Sequence, residues 1–294
     1  MKISTDINCF YKVYSEKETV KMLADAGFEA IDYTFMDEKY YGGEISDSEC
    51  RNYYADLKKY AEDKGVYFNQ SHAPCPSGST DTTENDRLFN NIVRSMRNAS
   101  YLGIKTIVVH GMDYLNHNVD GGAQRLFELN MDFYTRLKPY CEEYGIQVAL
   151  ENLPQTKSFA FGEKIVDSVC SLPEEFICYL DALDSEWFTA CLDIGHAMIT
   201  GHNPENFIRT LGKERLTALH VHDNNGLRDW HTLPYHGGMA DWDKIMKALR
   251  DIGYTGDLTF EAGNYLKSLP KELYPAGAEM MVTVGKYLRG IYLD

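Results

Sequence analysis

Six consecutive apolar runs of the sequence end in a histidine, an aspartate or a glutamate. The six side chains are His72, His110, Glu151, Asp193, His220 and Glu261. Imidazoles and carboxylates are the usual acids, bases and metal ligands of proteins. A single one at a strand end is more often a hydrogen-bonded wall residue or a helix cap. Their recurrence over six successive runs indicates that they belong to one site.

Three carboxylates and three imidazoles that met in one place would need a counter-charge. The carboxylates would raise one another's pKa, and each buried group would lack a partner. A divalent cation removes both difficulties, and mixed oxygen and nitrogen donors suit Zn²⁺, Mn²⁺, Co²⁺ or Fe²⁺ better than Ca²⁺ or Mg²⁺. The six residues therefore predict a divalent metal site.

A second group of polar residues follows the seventh apolar run, where Asp229-Trp230-His231 precedes Tyr235-His236-Gly237-Gly238. Side chains two apart on an extended segment point the same way, so Asp229 and His231 could face the site and hold a second metal or a substrate hydroxyl. The alternative is a solvated loop in which the two glycines permit a turn. The sequence leaves both interpretations open.

The elements that would position these residues alternate along the whole chain. Short apolar runs indicate strands at Lys2–Ile7, Ala30–Tyr33, Val66–Ser71, Thr106–Val109, Gln147–Leu150, Thr189–Leu192, Ala218–Val221 and Asp257–Phe260. Segments of helical period lie between them, and some of these begin near Glu18, Ser46, Leu172, Asn203, Asp241 and Leu273. Ser46 followed by Glu49 has the spacing of a capping box, which marks the start of one helix.

Eight strands alternating with eight helices, without a linker, predict one α/β domain over residues 1–294. We interpret this domain as a (β/α)8 TIM barrel. An open doubly wound sheet would carry a glycine-rich phosphate turn after its first strand, and the segment from Ile7 to Tyr11 has none. Because each strand–helix unit of a barrel returns the chain to the same end, all six strand-end residues should converge on one rim.

The composition limits the partners and the compartment. Forty-four acidic and 29 basic residues give a formal net charge of −15, which opposes binding to nucleic acid and to anionic membranes. The seven cysteines include no C-x-x-C pair, and the N-terminal segment lacks the apolar region of a signal peptide, so we expect a cytoplasmic protein. No apolar run approaches the roughly 20 residues that span a bilayer. A homo-oligomer is compatible with the sequence.

In this order, the motifs resemble the xylose isomerase-like barrel superfamily of sugar isomerases, epimerases and apurinic endonucleases. The segments that carry the resemblance are Leu150-Glu151-Asn152, Leu192-Asp193-Ile194-Gly195-His196, His220-Val221-His222-Asp223-Asn224, Asp229-x-His231, Gly237-Gly238-Met239-Ala240-Asp241-Trp242 and Phe260-Glu261. The resemblance implies a barrel that covers nearly the whole chain. It is specific to the superfamily and does not select one reaction.

For the isomerase and epimerase branch, the resemblance implies one divalent metal ion (zinc, manganese or cobalt) held by Glu151, Asp193, His220 and Glu261. His196 would face the substrate, a small-molecule sugar or sugar derivative. Glu151 and Glu261 would double as catalytic acid and base on opposite faces of the sugar. Proton abstraction next to a metal-bound carbonyl gives an enediolate. Return of the proton to the other face gives epimerisation, and return to the adjacent carbon gives isomerisation.

For the apurinic-endonuclease branch, the resemblance implies up to three zinc ions and hydrolysis of a phosphodiester. The nine matching positions are His72, His110, Glu151, Asp193, His196, His220, Asp229, His231 and Glu261. In the epimerase interpretation, His72, His110, His196, Asp229 and His231 would hold a second metal or bind the substrate. The net charge of −15 opposes DNA binding, and the segment from Asn152 to Lys157 lacks the glycine-rich stretch expected of the endonuclease branch.

The chain also departs from the ketose 3-epimerase pattern, which has an acidic residue six places after the first glutamate and an arginine six places after the metal histidine. Lys157 and Gly226 occupy those places here, so the sugar stays unassigned. We predict a metal-dependent sugar or polyol isomerase or epimerase. A zinc-dependent phosphodiester hydrolase is the second hypothesis, and a non-catalytic sugar-binding or regulatory barrel is the third.

Overall fold

The computed structural model of the protein describes residues 1–159 and 162–294. The strands are β1 (Ile3–Asp6), β2 (Ala30–Thr34), β3 (Tyr67–His72), β4 (Thr106–Val108), β5 (Gln147–Glu151), β6 (Pro154–Phe159), β7 (Gly162–Asp167), β8 (Phe188–Asp193), β9 (Leu216–His220) and β10 (Leu258–Phe260). The helices are α1 (Glu16–Ala26), α2 (Glu38–Tyr41), α3 (Asp47–Asp63), α4 (Thr82–Leu102), α5 (Gly122–Tyr144), α6 (Pro173–Leu183), α7 (Ile194–Ile199), α8 (Pro204–Arg215), α9 (Trp242–Ile252), α10 (Gly263–Lys267) and α11 (Tyr274–Leu293).

Eight of the strands form one parallel barrel, as predicted. Hydrogen bonds join neighbouring strands in the order β10, β1, β2, β3, β4, β5, β8 and β9. A parallel bridge between Val221 and Phe260 connects the end of β9 to β10 and brings the ring to closure. Helices connect the consecutive barrel strands, so the carboxyl ends of all eight strands lie at one rim.

The region between β5 and α6 differs from the prediction. All eight predicted strands occur within two residues of their predicted ends, but β6 and β7 form an additional antiparallel hairpin. The hairpin strands mix polar and charged residues, so they contain no apolar run that periodicity could detect. The short helices α2, α7 and α10 are also additions to the predicted alternation.

Local signals set the ends of the main helices. Ser15 and Ser46 each begin a helix with a reciprocal capping box, formed with Glu18 and Glu49 respectively. Gly103 ends α4 with a φ of 83°, a conformation that glycine adopts without steric cost. Within the described residues, no helix is both long enough and apolar enough to cross a membrane.

The inward-facing side chains of the barrel support the site from below. Val108, Ala149, Cys191 and Ala218 form a small buried apolar cluster of their own. Each of them lies two residues before a strand-end residue of the predicted site. Because side chains alternate along a strand, the apolar residue and the strand-end residue two positions later both point into the barrel. Small apolar groups therefore fill the barrel beneath the site on the side of β4, β5, β8 and β9.

Candidate metal centre and active site

Four of the predicted site residues meet at the carboxyl ends of β5, β8, β9 and β10, and we call them the inner cluster. They are Glu151, Asp193, His220 and Glu261, and one ligand atom of each lies within 4.8 Å of the others. His220 Nδ1 is 2.9 Å from Glu151 Oε1 and 3.4 Å from Glu261 Oε2. The first three side chains are buried, whereas Glu261 is partly exposed.

His72 and His110 lie beside the inner cluster, and we call them the histidine pair. Their Nε2 atoms are 3.0 Å apart. Glu151 Oε2 is 2.9 Å from Nε2 of His110 and 3.6 Å from Nε2 of His72. Glu151 is therefore shared, because Oε1 faces His220 while Oε2 faces the histidine pair.

A third group, the outer cluster, is formed by His196, His222, Asp229 and His231, whose ligand atoms also lie within 4.8 Å of one another. Asp229 Oδ2 is 2.9 Å from His231 Nε2 and 3.4 Å from His196 Nε2. The structure thus places Asp229 and His231 in the site. The prediction that the two side chains share a direction because the segment is extended was wrong. His231 has a φ of 46°, so the chain turns at this residue.

His222 is a member of the outer cluster that the sequence reasoning did not assign. It is fully buried, and its Nε2 lies 3.0 Å from Asp193 Oδ1 and 3.8 Å from Asp229 Oδ1. It therefore touches both the inner and the outer cluster. The signal was available in the sequence, because His220 and His222 are two residues apart at a strand end and so point to the same side.

Hydrogen bonds to the backbone fix the orientation of three of these rings. His72, His196 and His231 each donate the Nδ1 proton to a carbonyl oxygen, at 2.7 Å, 3.0 Å and 2.9 Å respectively. A carbonyl can only accept, so Nδ1 carries the proton and Nε2 is left as the ligand atom. In each case Nε2 is the ring nitrogen that lies closer to a carboxylate, which is Glu151 for His72 and Asp229 for the other two.

His220 is oriented the other way round. Its Nδ1 faces the inner cluster, and its Nε2 lies 3.5 Å from Oδ2 of Asp32, a buried carboxylate on β2. Asp6, at the end of β1, is also buried, and burial together with the charges of Glu261 and Asp32 raises the pKa of Asp6 to about 7. Sequence reasoning missed both carboxylates, although an acidic residue inside a predicted strand was a usable signal.

Without a cation, protons on the histidines balance the carboxylates. Burial opposes protonation of His196 and His231, but the adjacent carboxylates outweigh it and raise the pKa values to about 10 and about 11. Burial also opposes ionisation of Glu151, yet His220 and His110 hold the pKa of that carboxyl well below its ordinary value. A divalent cation would take the place of these protons, because histidine binds metal in its neutral form.

The donor atoms fit a transition-metal cation. The inner cluster offers three carboxylates and one imidazole, and the outer cluster offers three imidazoles and one carboxylate. Such mixed oxygen and nitrogen sets suit zinc, manganese, cobalt or iron(II). All nine site residues predicted from the sequence lie in the histidine pair, the inner cluster or the outer cluster. His222 is the one residue of these groups that was not predicted.

A pocket of about 340 Å³ opens above these groups. Seven residues of the histidine pair and the two clusters line its floor. They are His72, His110, Glu151, His196, Asp229, His231 and Glu261. Its walls come from the loops after β1, β2 and β3 and mix polar with apolar groups, among them Asn8, Thr34, Phe35, Met36, Tyr41 and Cys75. The pocket has the size of small-molecule sites, which begin at about 300 Å³.

Hydrogen bonds made by residues of the sequence motifs hold the rim together. Asn152 donates to the carbonyl of Asp193 at 2.9 Å and accepts from its backbone N–H at 2.8 Å, which joins the ends of β5 and β8. Asp193 also accepts from the backbone N–H of His196 at 2.6 Å, so it caps α7 as well as belonging to the inner cluster. Asp223 accepts from the indole of Trp242 at 2.9 Å and anchors the loop that carries Asp229 and His231.

Gly195 provides the space that His222 occupies. A Cβ atom added at Gly195 would lie 1.9 Å from Cε1 of His222, far closer than any tolerated contact. The glycine in the Leu192-Asp193-Ile194-Gly195-His196 motif is therefore required by packing. Its absence of a side chain allows the His222 ring to reach Asp193.

Comparison with known sequences agrees with this architecture. A family model described as xylose isomerase-like TIM barrel matches residues 20–284. An uncharacterized protein of Methanocaldococcus jannaschii is 28% identical over 199 residues, which are 66% of this chain and 64% of that protein. SgbU of Escherichia coli, provisionally named an L-ribulose-5-phosphate 3-epimerase, is 24% identical over 197 residues, or 65% of this chain and 63% of SgbU. The chain thus spans less than two thirds of either relative.

Solved structures share the fold over nearly the full length. A D-psicose 3-epimerase crystallised in the presence of D-fructose has a TM-score of 0.73 and 18% identity, covering 98% of this chain and 99% of that one. The IolI protein with a bound zinc atom has a TM-score of 0.72 and 18% identity, covering 99% of this chain and 98% of that one. At these identities the similarity establishes the fold.

Proposed function

The chain belongs to the xylose isomerase-like TIM barrel family, and on that premise we propose that it is a metal-dependent isomerase or epimerase of sugars. The observation that carries the proposal is the inner cluster, in which Glu151, Asp193, His220 and Glu261 bring their ligand atoms within 4.8 Å of one another. The two glutamates of this cluster also line the pocket. The names of D-psicose 3-epimerase and of SgbU support an activity on carbohydrates.

The two glutamates of the inner cluster are the proposed acid and base. Glu151 projects from β5 and Glu261 follows β10, so they reach the pocket from different parts of the barrel wall. Each can hold or release a proton at a carboxylate oxygen on its own side of a bound sugar. A cation in the inner cluster would stabilise the negative charge that develops on the sugar oxygens when the proton leaves.

The other pocket residues would bind and orient the sugar. His196 and the histidine pair present Nε2 atoms to the pocket, and Asn8, Thr34 and Tyr41 add neutral hydrogen-bonding groups to its walls. Such groups recognise the hydroxyls of a small sugar. The residue roles, the identity of the metal, the cytoplasmic location and a homo-oligomeric state stay predictions.

The activity is tested with metal-loaded protein and a panel of free and phosphorylated ketoses in D2O, followed by NMR. We expect one of them to isomerise or epimerise and to take up deuterium from solvent at the carbon that loses its proton. The proposal fails if no ketose exchanges a carbon-bound proton with any of Zn²⁺, Mn²⁺ or Co²⁺ present.

One observation favours a second candidate, a zinc-dependent phosphodiester hydrolase. The histidine pair with Glu151, the inner cluster and the outer cluster provide three donor sets, two of which share Glu151, and three is the number of zinc ions that the endonuclease resemblance implies. Several cations close together would activate water for attack on a phosphodiester. The net charge of −15 opposes binding of a DNA backbone. Cleavage of an abasic DNA duplex that stops on addition of a chelator would support this candidate over the first.

A further inference from the structure

The exceptional orientation of His220 requires an explanation. His72, His196 and His231 keep Nε2 for the site because a backbone carbonyl holds the Nδ1 proton of each ring. In His220 the nitrogen that faces Glu151, Glu261 and Asp193 is Nδ1. If Nδ1 is the ligand atom, the proton must be on Nε2, which then needs an acceptor inside the barrel.

We propose that Asp32 is a positioning residue, which accepts the Nε2 proton of His220 and thereby presents Nδ1 to the inner cluster as a metal ligand. Asp32 Oδ2 lies 3.5 Å from Nε2, and both side chains are about 1% exposed. Both groups are therefore shielded from bulk solvent. A buried N–H left without an acceptor would be destabilising. This inference rests on the proposed metal site of the inner cluster.

The strand geometry fixes Asp32 in this place. The pairing of β2 with β3 changes register after Ile31, so that Asp32 lies opposite Gln70 and not opposite Asn69. Irregularities of this kind re-aim side chains next to functional sites. Gln70 then donates from Nε2 to Asp32 Oδ2 at 2.9 Å and to the carbonyl of Leu219 at 3.5 Å. It thus contacts both the carboxylate and the backbone that precedes His220.

The polar contacts continue through the barrel interior. Thr259 donates to Gln70 Oε1 at 3.4 Å, Asn69 donates to Thr259 at 3.1 Å, and Ser4 donates to Asn69 at 2.9 Å. These side chains come from β1, β3 and β10, so the amide of Gln70 is held from several sides. Asp32 is consequently fixed by the barrel wall and can in turn fix His220. Carboxylate–histidine pairs of this kind set the ring orientation and the tautomer of metal ligands.

The test uses protein labelled with ¹⁵N in the histidine rings, together with Zn²⁺ titration against a chromogenic chelator. In the wild type we expect Nε2 of His220 to carry the proton and Nδ1 to shift when Zn²⁺ is added. His220→Gln identifies the resonances. For Asp32→Ala we expect Zn²⁺ affinity to fall by about 10–100-fold and the Nδ1 response of His220 to weaken. Asp32→Asn keeps an oxygen acceptor and should retain more of the affinity.

Thr217→Val is the matched control, because it removes a hydrogen bond between the neighbouring strands β9 and β8 without touching Asp32, Gln70 or His220. We expect it to lower thermal stability at most, with Zn²⁺ affinity unchanged. Unchanged affinity and an unchanged His220 response in folded Asp32→Ala would overturn the inference. If Asp32→Ala does not fold, the same result in Asp32→Leu overturns it, because leucine is close to aspartate in size and offers no acceptor. A wild type in which Zn²⁺ leaves His220 Nδ1 unaffected would instead contradict the proposed metal site.

Discussion

The inner and outer clusters contain the same kinds of side chain but differ in the backbone that carries them. The inner cluster sits on the ends of four barrel strands, and three of its four members are buried. The outer cluster takes its members from the first turn of α7, from just after β9 and from the following loop, where Asp229 is 37% exposed. Side chains at the ends of barrel strands are held more rigidly than side chains on loops.

This difference suits the two clusters to different tasks. A group that must meet a reacting atom within a fraction of an ångström belongs on the strand ends, as Glu151 and Glu261 do. A loop-borne group such as Asp229 is better suited to binding a substrate or a further cation. We therefore expect changes to the inner cluster to abolish the reaction and changes to the outer cluster to tune it.

The largest effect is expected from Glu151→Gln. It removes a carboxylate that faces both His220 and the histidine pair, and with it the proposed acid or base, so turnover should fall by about 10²–10⁴-fold or more. Steady-state kinetics on the metal-loaded protein measures this, with circular dichroism to check the fold. Glu142→Gln, on the exposed face of α5, is the control. Full activity of Glu151→Gln would remove this residue from the mechanism.

The pH dependence of metal binding should distinguish the two clusters. His196 and His231 of the outer cluster have pKa values raised to about 10 and about 11, so both carry protons at neutral pH that a cation must displace. In the inner cluster, burial opposes protonation of His220, but neighbouring groups raise its pKa well above the usual value. A cation that binds there must therefore displace one histidine proton.

Affinity should therefore fall as the pH falls, by about tenfold per unit for each displaced proton, and more steeply at the outer cluster. Calorimetry in buffers of different ionisation enthalpy, between about pH 6 and pH 8.5, counts the released protons. Equal proton release at the two clusters would contradict the distinction drawn between them.

Gly195→Ala tests the contact between the clusters. The new methyl group would collide with His222, and overpacking of this kind costs about 1–3 kcal/mol of unfolding free energy. Urea denaturation measures the loss. Gly290→Ala is the control, since nothing lies within 4 Å of a Cβ at that helical position and alanine favours the helix. Equal stability of Gly195→Ala and wild type would show that His222 can move away at no cost.

The smallest effect on the proposed reaction is expected from Asp229→Asn. It weakens the outer cluster but leaves the inner cluster intact, so sugar turnover should drop by about tenfold or less. Kinetics and metal analysis are run together, with Asp243→Asn, on the exposed side of α9, as the control. Complete loss of turnover would place the outer cluster in the chemistry itself.

Periodicity was sufficient to predict the barrel and the residues that end its strands. The barrel strands alternate with helices of clear period along the chain, and the topology of the fold alone brings His72 and Glu261 to the same rim. The outer cluster was less predictable, because the φ of 46° at His231 belongs to an irregular turn that no sequence period describes. The hairpin of β6 and β7 was missed for a related reason, since its strands are polar.

The partners of the ligands could not be predicted. Asp32 reaches His220 because of a register change between β2 and β3, and His222 reaches Asp193 because Gly195 leaves room. Both are consequences of packing across the barrel. Sequence spacing gives the strand on which a residue lies, but it does not give the residue that faces it from another strand.

The most direct test of the central claim is the metal content of the purified protein, measured by mass spectrometry and combined with turnover before and after chelation. We predict about one divalent ion per chain bound tightly at the inner cluster, loss of turnover when it is removed, and recovery when Zn²⁺, Mn²⁺ or Co²⁺ is returned. Undiminished turnover by protein free of metal would contradict the account.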